Sequence, residues 1–213
     1  FSRPFGKISV WNDGTHQPGT VSARGKDLTV GVEFPAEENS QTIELKVAVS
    51  HVSVENARDN LEREAAQTGF DEALASAVSH WEETLSRIRI AGGTAQQRTV
   101  FLTAFFRSFQ MPTEFQDANG DYLGFDGKIH RAEGFGYYTD MSLWDTFRTV
   151  HPLYNLIARR DHRDMLVSLL KMAEQGGHLP RWPSGGGYTN SMFGTPADIV
   201  ISEAYLKGIT DFD

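Results

Sequence analysis

An indole, two carboxylates, a guanidinium and an imidazole crowd into the run Tyr138-Thr139-Asp140-Met141-Ser142-Leu143-Trp144-Asp145-Thr146-Phe147-Arg148-Thr149-Val150-His151-Pro152. Ser142 is placed to cap a helix, its hydroxyl accepting an N–H of the first turn. Trp144 and Asp145 then fall in that turn. An aromatic plane beside a fixed carboxylate suits a sugar, because the ring stacks on C–H faces while the carboxylate accepts hydroxyl protons. The same pair also fits a plainer role, a packed Trp beside an acid favoured by the helix dipole. Arg148 and Asp140 are expected to form a buried pair that fixes this helix, and His151 reads as a satisfied interior histidine.

A second chemical segment is Leu179-Pro180-Arg181-Trp182-Pro183, which runs into Ser184-Gly185-Gly186-Gly187-Tyr188-Thr189-Asn190-Ser191-Met192-Phe193-Gly194. Arg181 can donate a fork of N–H bonds to ring hydroxyls or hold a neighbouring carboxylate; a purely structural ion pair serves it equally well. Trp182 is pocket wall or core. Asp126, in Gly124-Phe125-Asp126-Gly127-Lys128-Ile129-His130, is a sugar contact or simply part of a good turn. Asp117-Ala118-Asn119-Gly120-Asp121 looks like a calcium loop but lacks the spacing and closing Glu of an EF-hand, and reads as a turn. The histidines show no metal-ligand spacing.

These segments need elements to position them. Lys7 to Trp11 and Asp27 to Phe34 alternate as strands, with Asn12-Asp13-Gly14 as a turn signal. Glu37-Glu38-Asn39-Ser40 predicts a polar turn, and Thr42 to Val52 predicts a further strand with Ile43, Leu45, Val47 and Val49 on one face. After Ser53 the period becomes helical. One charged helix runs to Gly69. Asp71 caps the next, with Leu74, Val78, Trp81, Leu85 and Ile88 on its apolar stripe. Helices are predicted over 95–111, 142–158, 161–175 and 195–207. Pro152 should kink or restart the second of these. Pro196 at the first position and Gly208 at the end delimit the last. Long loops over 112–138 and 176–195 carry most of the aromatics and glycines, a composition that argues against disorder.

The bulk numbers exclude several classes. Net charge is −8, from 28 acidic against 20 basic residues, with no basic run, which argues against nucleic-acid binding. There is no Cys, hence no disulfide and no thiolate metal site. No apolar stretch reaches the ~20 residues that span a bilayer, and no signal-like segment opens the chain. Mean hydropathy is −0.38, ordinary for a globular chain. Phe1 in place of an initiator Met leads to the expectation of a piece of a longer polypeptide.

In order along the chain, the Ser142–Arg148 run, the Leu179–Trp182 run and the pattern Pro196-Ala197-Asp198, Val200-Ile201, Ala204-Tyr205, Lys207-Gly208 resemble glycoside hydrolase family 92, the calcium-dependent exo-acting α-mannosidases. The resemblance extends from Phe1-Ser2-Arg3-Pro4-Phe5 to Ile209. It implies an α+β, multi-domain central fragment: the end of an N-terminal β-sandwich over 1–52, a helical linker over 53–94, and the first helices of an (α/α)6 barrel over 95–213. It implies an inverting hydrolase of terminal α-mannosides, with Trp144 and Asp145 in the subsite that holds the mannose; Arg181, Trp182 and Asp126 stay candidate contacts on the chemistry of their segments alone. Such an enzyme sets its two carboxyl groups roughly 6.5–9.5 Å apart. The acid, the base and the Ca2+ ligands are expected outside these residues, because no matching motif occurs here. Glu55, Glu62, Glu64, Glu72, Glu82 and Glu83 read as solvated helix faces; nothing marks Glu114, Glu133 or Glu203 as an acid. The implied partners are α-mannoside glycans and the remainder of the polypeptide, and the implied setting is secreted, periplasmic or at a bacterial cell surface. Two alternatives stand beside this reading: another (α/α)-barrel glycosidase of trehalase or glucoamylase type, and a non-catalytic carbohydrate-binding module.

Overall fold

Alternation becomes strand where a partner edge exists. In a computed structural model that describes residues 1–36 and 42–212, β1 (Lys7–Asn12) lies between β2 (Thr15–His16) and β3 (Leu28–Glu33) in an antiparallel sheet. Asp13 and Gly14, both at positive φ, make the tight β1–β2 turn. Val10, opposite Val30, is buried. The strand predicted over Thr42 to Val52 does not form. Glu44 exchanges bonds with Ser2, accepting from its N–H at 2.9 Å and donating to its hydroxyl at 2.9 Å. Leu45, Val47 and Val49 stay exposed. A period of two gives a strand only when a neighbouring ladder and an apolar face are there to receive it. The turn expected at 37–40 lies outside the described residues. These strands belong to one compact unit, Phe1–Val47; the second is Ala48–Asp213.

The second unit carries the candidate site. Ser53 caps α1 (Val54–Asn60) by accepting the Asn56 N–H at 3.0 Å, and a wider π-helical turn, Leu61–Ala65, follows. Helix α2 (Phe70–Leu85) starts after Gly69, so Asp71 sits in its first turn and is not the cap; Ile88 lies beyond its end. Helix α3 (Ala95–Arg107) opens with a capping box between Thr94 and Gln97 and stops short of the predicted Met111. The helix predicted over 142–158 is two: α4 (Leu143–Thr146) and α5 (Val150–Ile157). Inside one continuous helix the Pro152 ring would meet the carbonyl of Arg148. In the first turn of a restarted helix its missing N–H costs nothing, since those donors have no intrahelical partner.

Helix α6 (Arg159–Gly176) is the axis of the core. His162, Met165, Leu166, Leu169 and Met172 form one buried stripe at helical spacing. They pack with Tyr154 of α5, with Ala197, Val200 and Ala204 of α7 (Pro196–Leu206), and with Tyr122 and Tyr137. Gly177, at φ 92°, ends α6 in the left-handed conformation.

Both predicted long loops are structured. Within 112–138, β4 (Thr113–Glu114) pairs with β7 (Tyr138–Thr139), and β5 (Asp121–Leu123) forms a hairpin with β6 (Ile129–Arg131). Within 176–195, β8 (Pro183–Ser184) pairs with β9 (Gly187–Tyr188). Tyr122 stacks on Tyr137 with centroids 3.7 Å apart, which ties the β5–β6 hairpin to the strand leading into α4. The Asp117–Asp121 turn is held from outside by helix α1. Asp117 accepts from the Ser50 hydroxyl at 2.7 Å and from the Asn56 and Asn60 amides, each at 2.8 Å.

Candidate functional site

Trp144 and Asp145 project from the single turn of α4. Trp144 is 39% exposed and Asp145 is exposed as well, so neither is sealed in the core. Ser142 does not cap the helix as expected. Its hydroxyl donates to the Asp145 carboxylate, a stronger acceptor than a hydroxyl is for a backbone N–H. That bond uses one carboxylate oxygen; the other has no partner among the described residues. Arg148 does not pair with Asp140. Its guanidinium lies 4.0 Å from the Phe147 centroid and 5.8 Å from the Trp144 centroid, a cation–π arrangement on the surface of the turn.

The Arg181–Trp182 segment is fastened to this turn through its neighbours. Met141 N–H donates to the Pro183 carbonyl at 3.2 Å, and the Thr139 hydroxyl donates to the Gly185 carbonyl at 2.7 Å. Asp140 Oδ1 accepts from the Ser184 hydroxyl at 2.8 Å and from Gly185 N–H at 3.2 Å. Arg181 itself makes no ion pair among the described residues. Its guanidinium donates to the carbonyls of Met192 at 2.7 Å and Asn190 at 3.4 Å, both residues at positive φ. Trp182 is half-buried, and its indole N–H has no partner among the described residues.

Asp126 stands apart from that cluster. Its Oδ1 accepts from the Lys128 N–H at 3.0 Å and faces His130 Nε2 at 2.9 Å; the His130 bond and the Lys128 N–H hold its carboxyl below the usual carboxylate range. It lines a cavity of about 500 Å³ shared with Tyr122, Lys128, Lys171 and Gln175. Its hairpin nonetheless touches the other loop. Phe125 meets Tyr188 edge-on at 4.7 Å, and Leu123 lies so close to Gly186 that a Cβ there would stand 3.2 Å from its Cδ2. The three segments thus join through residues 139–141 with 183–185 and through Phe125, Tyr188, Leu123 and Gly186; Trp144 and Asp145 sit on the α4 turn, Arg181 and Trp182 on the loop fastened to it, and Asp126 faces a separate concavity. A larger cavity, about 860 Å³, lies at the opposite end of α6 between Glu114, Tyr138, Arg160, Asp161 and Asp164. There burial, with Glu64, Asp164 and Asp161 nearby, raises the Glu114 carboxyl.

Residues 56–213 match the model of the glycosyl hydrolase family 92 catalytic domain. The chain belongs to that family. Among proteins of known structure, it is similar to the family 92 α-mannosidase BT3965 of Bacteroides thetaiotaomicron, with a TM-score of 0.82 at 28% identity over 97% of this chain and 29% of that one. It is also similar to the family 92 inverting mannosidase BT2199 of the same organism, with a TM-score of 0.88 at 25% identity over all of this chain and 29% of that one. A fungal relative from Arthroderma benhamiae, named an uncharacterized secreted glycosidase, is 26% identical over 96% of this chain and 24% of its own length. The chain therefore spans 24% to 29% of the length of these relatives.

As a family 92 segment, the chain has the mixed helix and strand content its sequence predicts. Among the described residues no group of three or more His, Asp or Glu side chains is placed to hold a metal ion. The two acids of the calcium-like loop are committed elsewhere: Asp117 to Ser50, Asn56 and Asn60, and Asp121 to Asn119 and Arg131. These bonds hold Asp117–Asp121 as a turn, with both acids' carboxylates already taken. No described helix is long and apolar enough to cross a membrane. Sequence reasoning missed the tie between Asp140 and Ser184; the one signal was an Asp at a strand-to-helix junction, a residue type that tolerates the left-handed conformation.

Proposed function

We propose that the complete polypeptide is an exo-acting α-mannosidase that hydrolyses terminal α-mannosides with inversion, and that this segment supplies part of the face that grips the mannosyl ring. The observation that carries this reading is the exposure of Trp144 beside a half-free Asp145 carboxylate, on a turn fastened to the Arg181–Trp182 loop in a family 92 chain. The indole offers an apolar plane to sugar C–H groups, and the unpartnered carboxylate oxygen accepts a hydroxyl proton. Arg181 shapes the loop, leaving Trp182 to wall the site. Asp126 serves the same glycan further out, from its own cavity. Holding the ring in one orientation is this segment's share of the rate gain.

The rest of the chemistry is assigned to residues outside this chain. An inverting enzyme needs an acid and a base on opposite faces of the ring, and Ca2+, where bound, supplies charge stabilisation. We place those groups, and the calcium ligands, in the remaining polypeptide, the later part of an (α/α)6 barrel that this segment's helices begin after a β-sandwich. The substrates are α-mannoside glycans outside the cytoplasm, and the protein is exported, in keeping with the secreted name of its fungal relative and the bacterial source of the two mannosidases. The test compares release of mannose from α-mannosyl substrates with release of glucose from α-glucosyl substrates by the complete enzyme, with and without a chelator. Release from mannosides alone, abolished by the chelator, is the expected result. Preference for glucosides would replace this reading with the trehalase or glucoamylase type.

A further inference from the structure

We infer that Asp140 is a positioning residue for the proposed mannose-gripping face: it locks the Trp144–Asp145 turn and the Arg181–Trp182 loop into one geometry. The inference rests on that reading of the face but adds a residue to it. Asp140 lies between the end of β7 at Thr139 and the start of α4 at Leu143, with φ 56°. Left-handed backbone is uncommon outside glycine, and Asp is one of the few side chains that visits it, as a single residue at a sharp change of direction. Here it turns the chain from strand into the helix that carries the indole and the carboxylate.

The same residue reaches across the site. Its Oδ1 takes the Ser184 hydroxyl at 2.8 Å and the Gly185 N–H at 3.2 Å. Its two neighbours join in: Thr139 donates to the Gly185 carbonyl at 2.7 Å and Met141 to the Pro183 carbonyl at 3.2 Å. Residues 139–141 are thereby stitched to residues 183–185, the step that directly follows Trp182. Thr139 and Pro183 are buried, so part of the seam is shielded from water, where competing solvent bonds would loosen it.

Backbone conformation points the same way. Among the described residues of the second unit, the non-glycine residues at positive φ are Asp140, Asn190 and Met192. All three belong to these two segments, and each is tied by side-chain bonds: Asp140 through its own carboxylate, the other two through the carbonyls that Arg181 holds. Unfavourable backbone of this kind persists only where surrounding bonds over-determine it, and it clusters at ligand sites. Asp140 therefore acts at the near end of the loop and Arg181 at its far end.

The experiment compares Asp140→Asn, Asp140→Gly and Ser184→Ala in the full-length enzyme, reading kcat, KM and thermal midpoint with an aryl α-mannoside. Asn keeps the Oδ1 acceptor and tolerates the backbone, so its kcat/KM should stay within about threefold of wild type. Gly accepts the backbone freely but deletes the acceptor. Its kcat/KM should fall about 30- to 100-fold, with kcat down and KM up together, in a protein still folded at the assay temperature. Ser184→Ala, which removes one donor from the exposed side of the seam, should lose about three- to tenfold. A folded Gly variant with wild-type kinetics overturns the inference, as does an unchanged Ser184→Ala enzyme should the Gly variant not fold. An Asn variant as damaged as Gly also overturns it, because charge rather than positioning would then be at work. Asp145→Ala separates the two levels. Unchanged activity there removes the mannose-gripping reading itself, whereas a crippled Asp145→Ala beside a normal Asp140→Gly removes only the role given to Asp140.

Discussion

Acid should weaken this protein through two histidines held neutral in its core. His151 is 1% exposed and His162 is fully buried. His151 Nδ1 lies 3.1 Å from His162 Nε2, and His162 Nδ1 lies 3.0 Å from Asn155 Oδ1. The amide oxygen can only accept, so His162 carries its proton on Nδ1 and takes the His151 N–H at Nε2. A second proton on His162 would set N–H against N–H. Burial, with the His162 charge adding to it, pushes His151 down to about 3, and burial alone pushes His162 down to about 4, from an ordinary value of 6.5. As pH falls through about 6.5 the unfolded histidines take up protons while the folded pair does not. The stabilisation is thus complete above about pH 7 and drains away between about 6.5 and 4. At about pH 4.5, roughly two pH units below the ordinary value, the pair together has cost on the order of 5 kcal/mol, comparable with the whole stability of a small domain. Urea unfolding at pH 7.5 and 4.5 measures this for the wild type and for a His151→Leu/His162→Met double variant. Whatever the variant's starting stability, the wild type should lose about 5 kcal/mol more than the variant across that range. An equal pH dependence in the two proteins would refute the buried neutral pair.

Three further outcomes follow from particular contacts. Asp145→Ala in the complete enzyme should lower kcat/KM about 100-fold, the worth of one charged hydrogen-bond acceptor to a bound sugar hydroxyl, with the thermal midpoint nearly unmoved. Arg181→Met removes the two bonds that hold Asn190 and Met192, and should cost about 1–2 kcal/mol in denaturant unfolding while opening residues 190–193 to limited proteolysis. Asn60 bonds the Val49 carbonyl, Asp117 Oδ1 and the Ala118 N–H from a buried position. Asn60→Ala should therefore destabilise by about 2–4 kcal/mol, read calorimetrically, and leave kcat/KM per folded molecule unchanged.

Helices with strong local signals were legible, as was the turn at Asp13 and Gly14, whereas the hairpins inside the two long loops were not. Ser53 and Pro196 marked helix starts, and the helix predicted over 161–175 formed as part of α6. What failed was context. Thr42 to Val52 has a strand's alternation, but alternation cannot say whether a neighbouring edge is present. Pro152 announced an interruption, but only packing placed the restart at Val150, upstream of it. In the candidate site the residue types were readable and their bonding was not. Ser142 and Asp145 are close enough in sequence to foresee some bond, though not that the hydroxyl would donate sideways instead of capping. The ties from Asp140 to Ser184 and from Arg181 to the Asn190 and Met192 carbonyls join residues that no short-range pattern brings together. Arg148 was matched by charge to Asp140, whereas two aromatic faces on its own turn offered nearer partners at no desolvation cost to a carboxylate.

A crystal structure of the complete enzyme with a non-hydrolysed α-mannoside bound tests the central claim most directly. The mannosyl ring should lie against the Trp144 indole within about 4 Å, with one hydroxyl about 2.6–3.2 Å from the Asp145 oxygen that Ser142 leaves open. A mannosyl ring seated elsewhere, with Trp144 and Asp145 touching neither ring nor hydroxyl, would contradict the account.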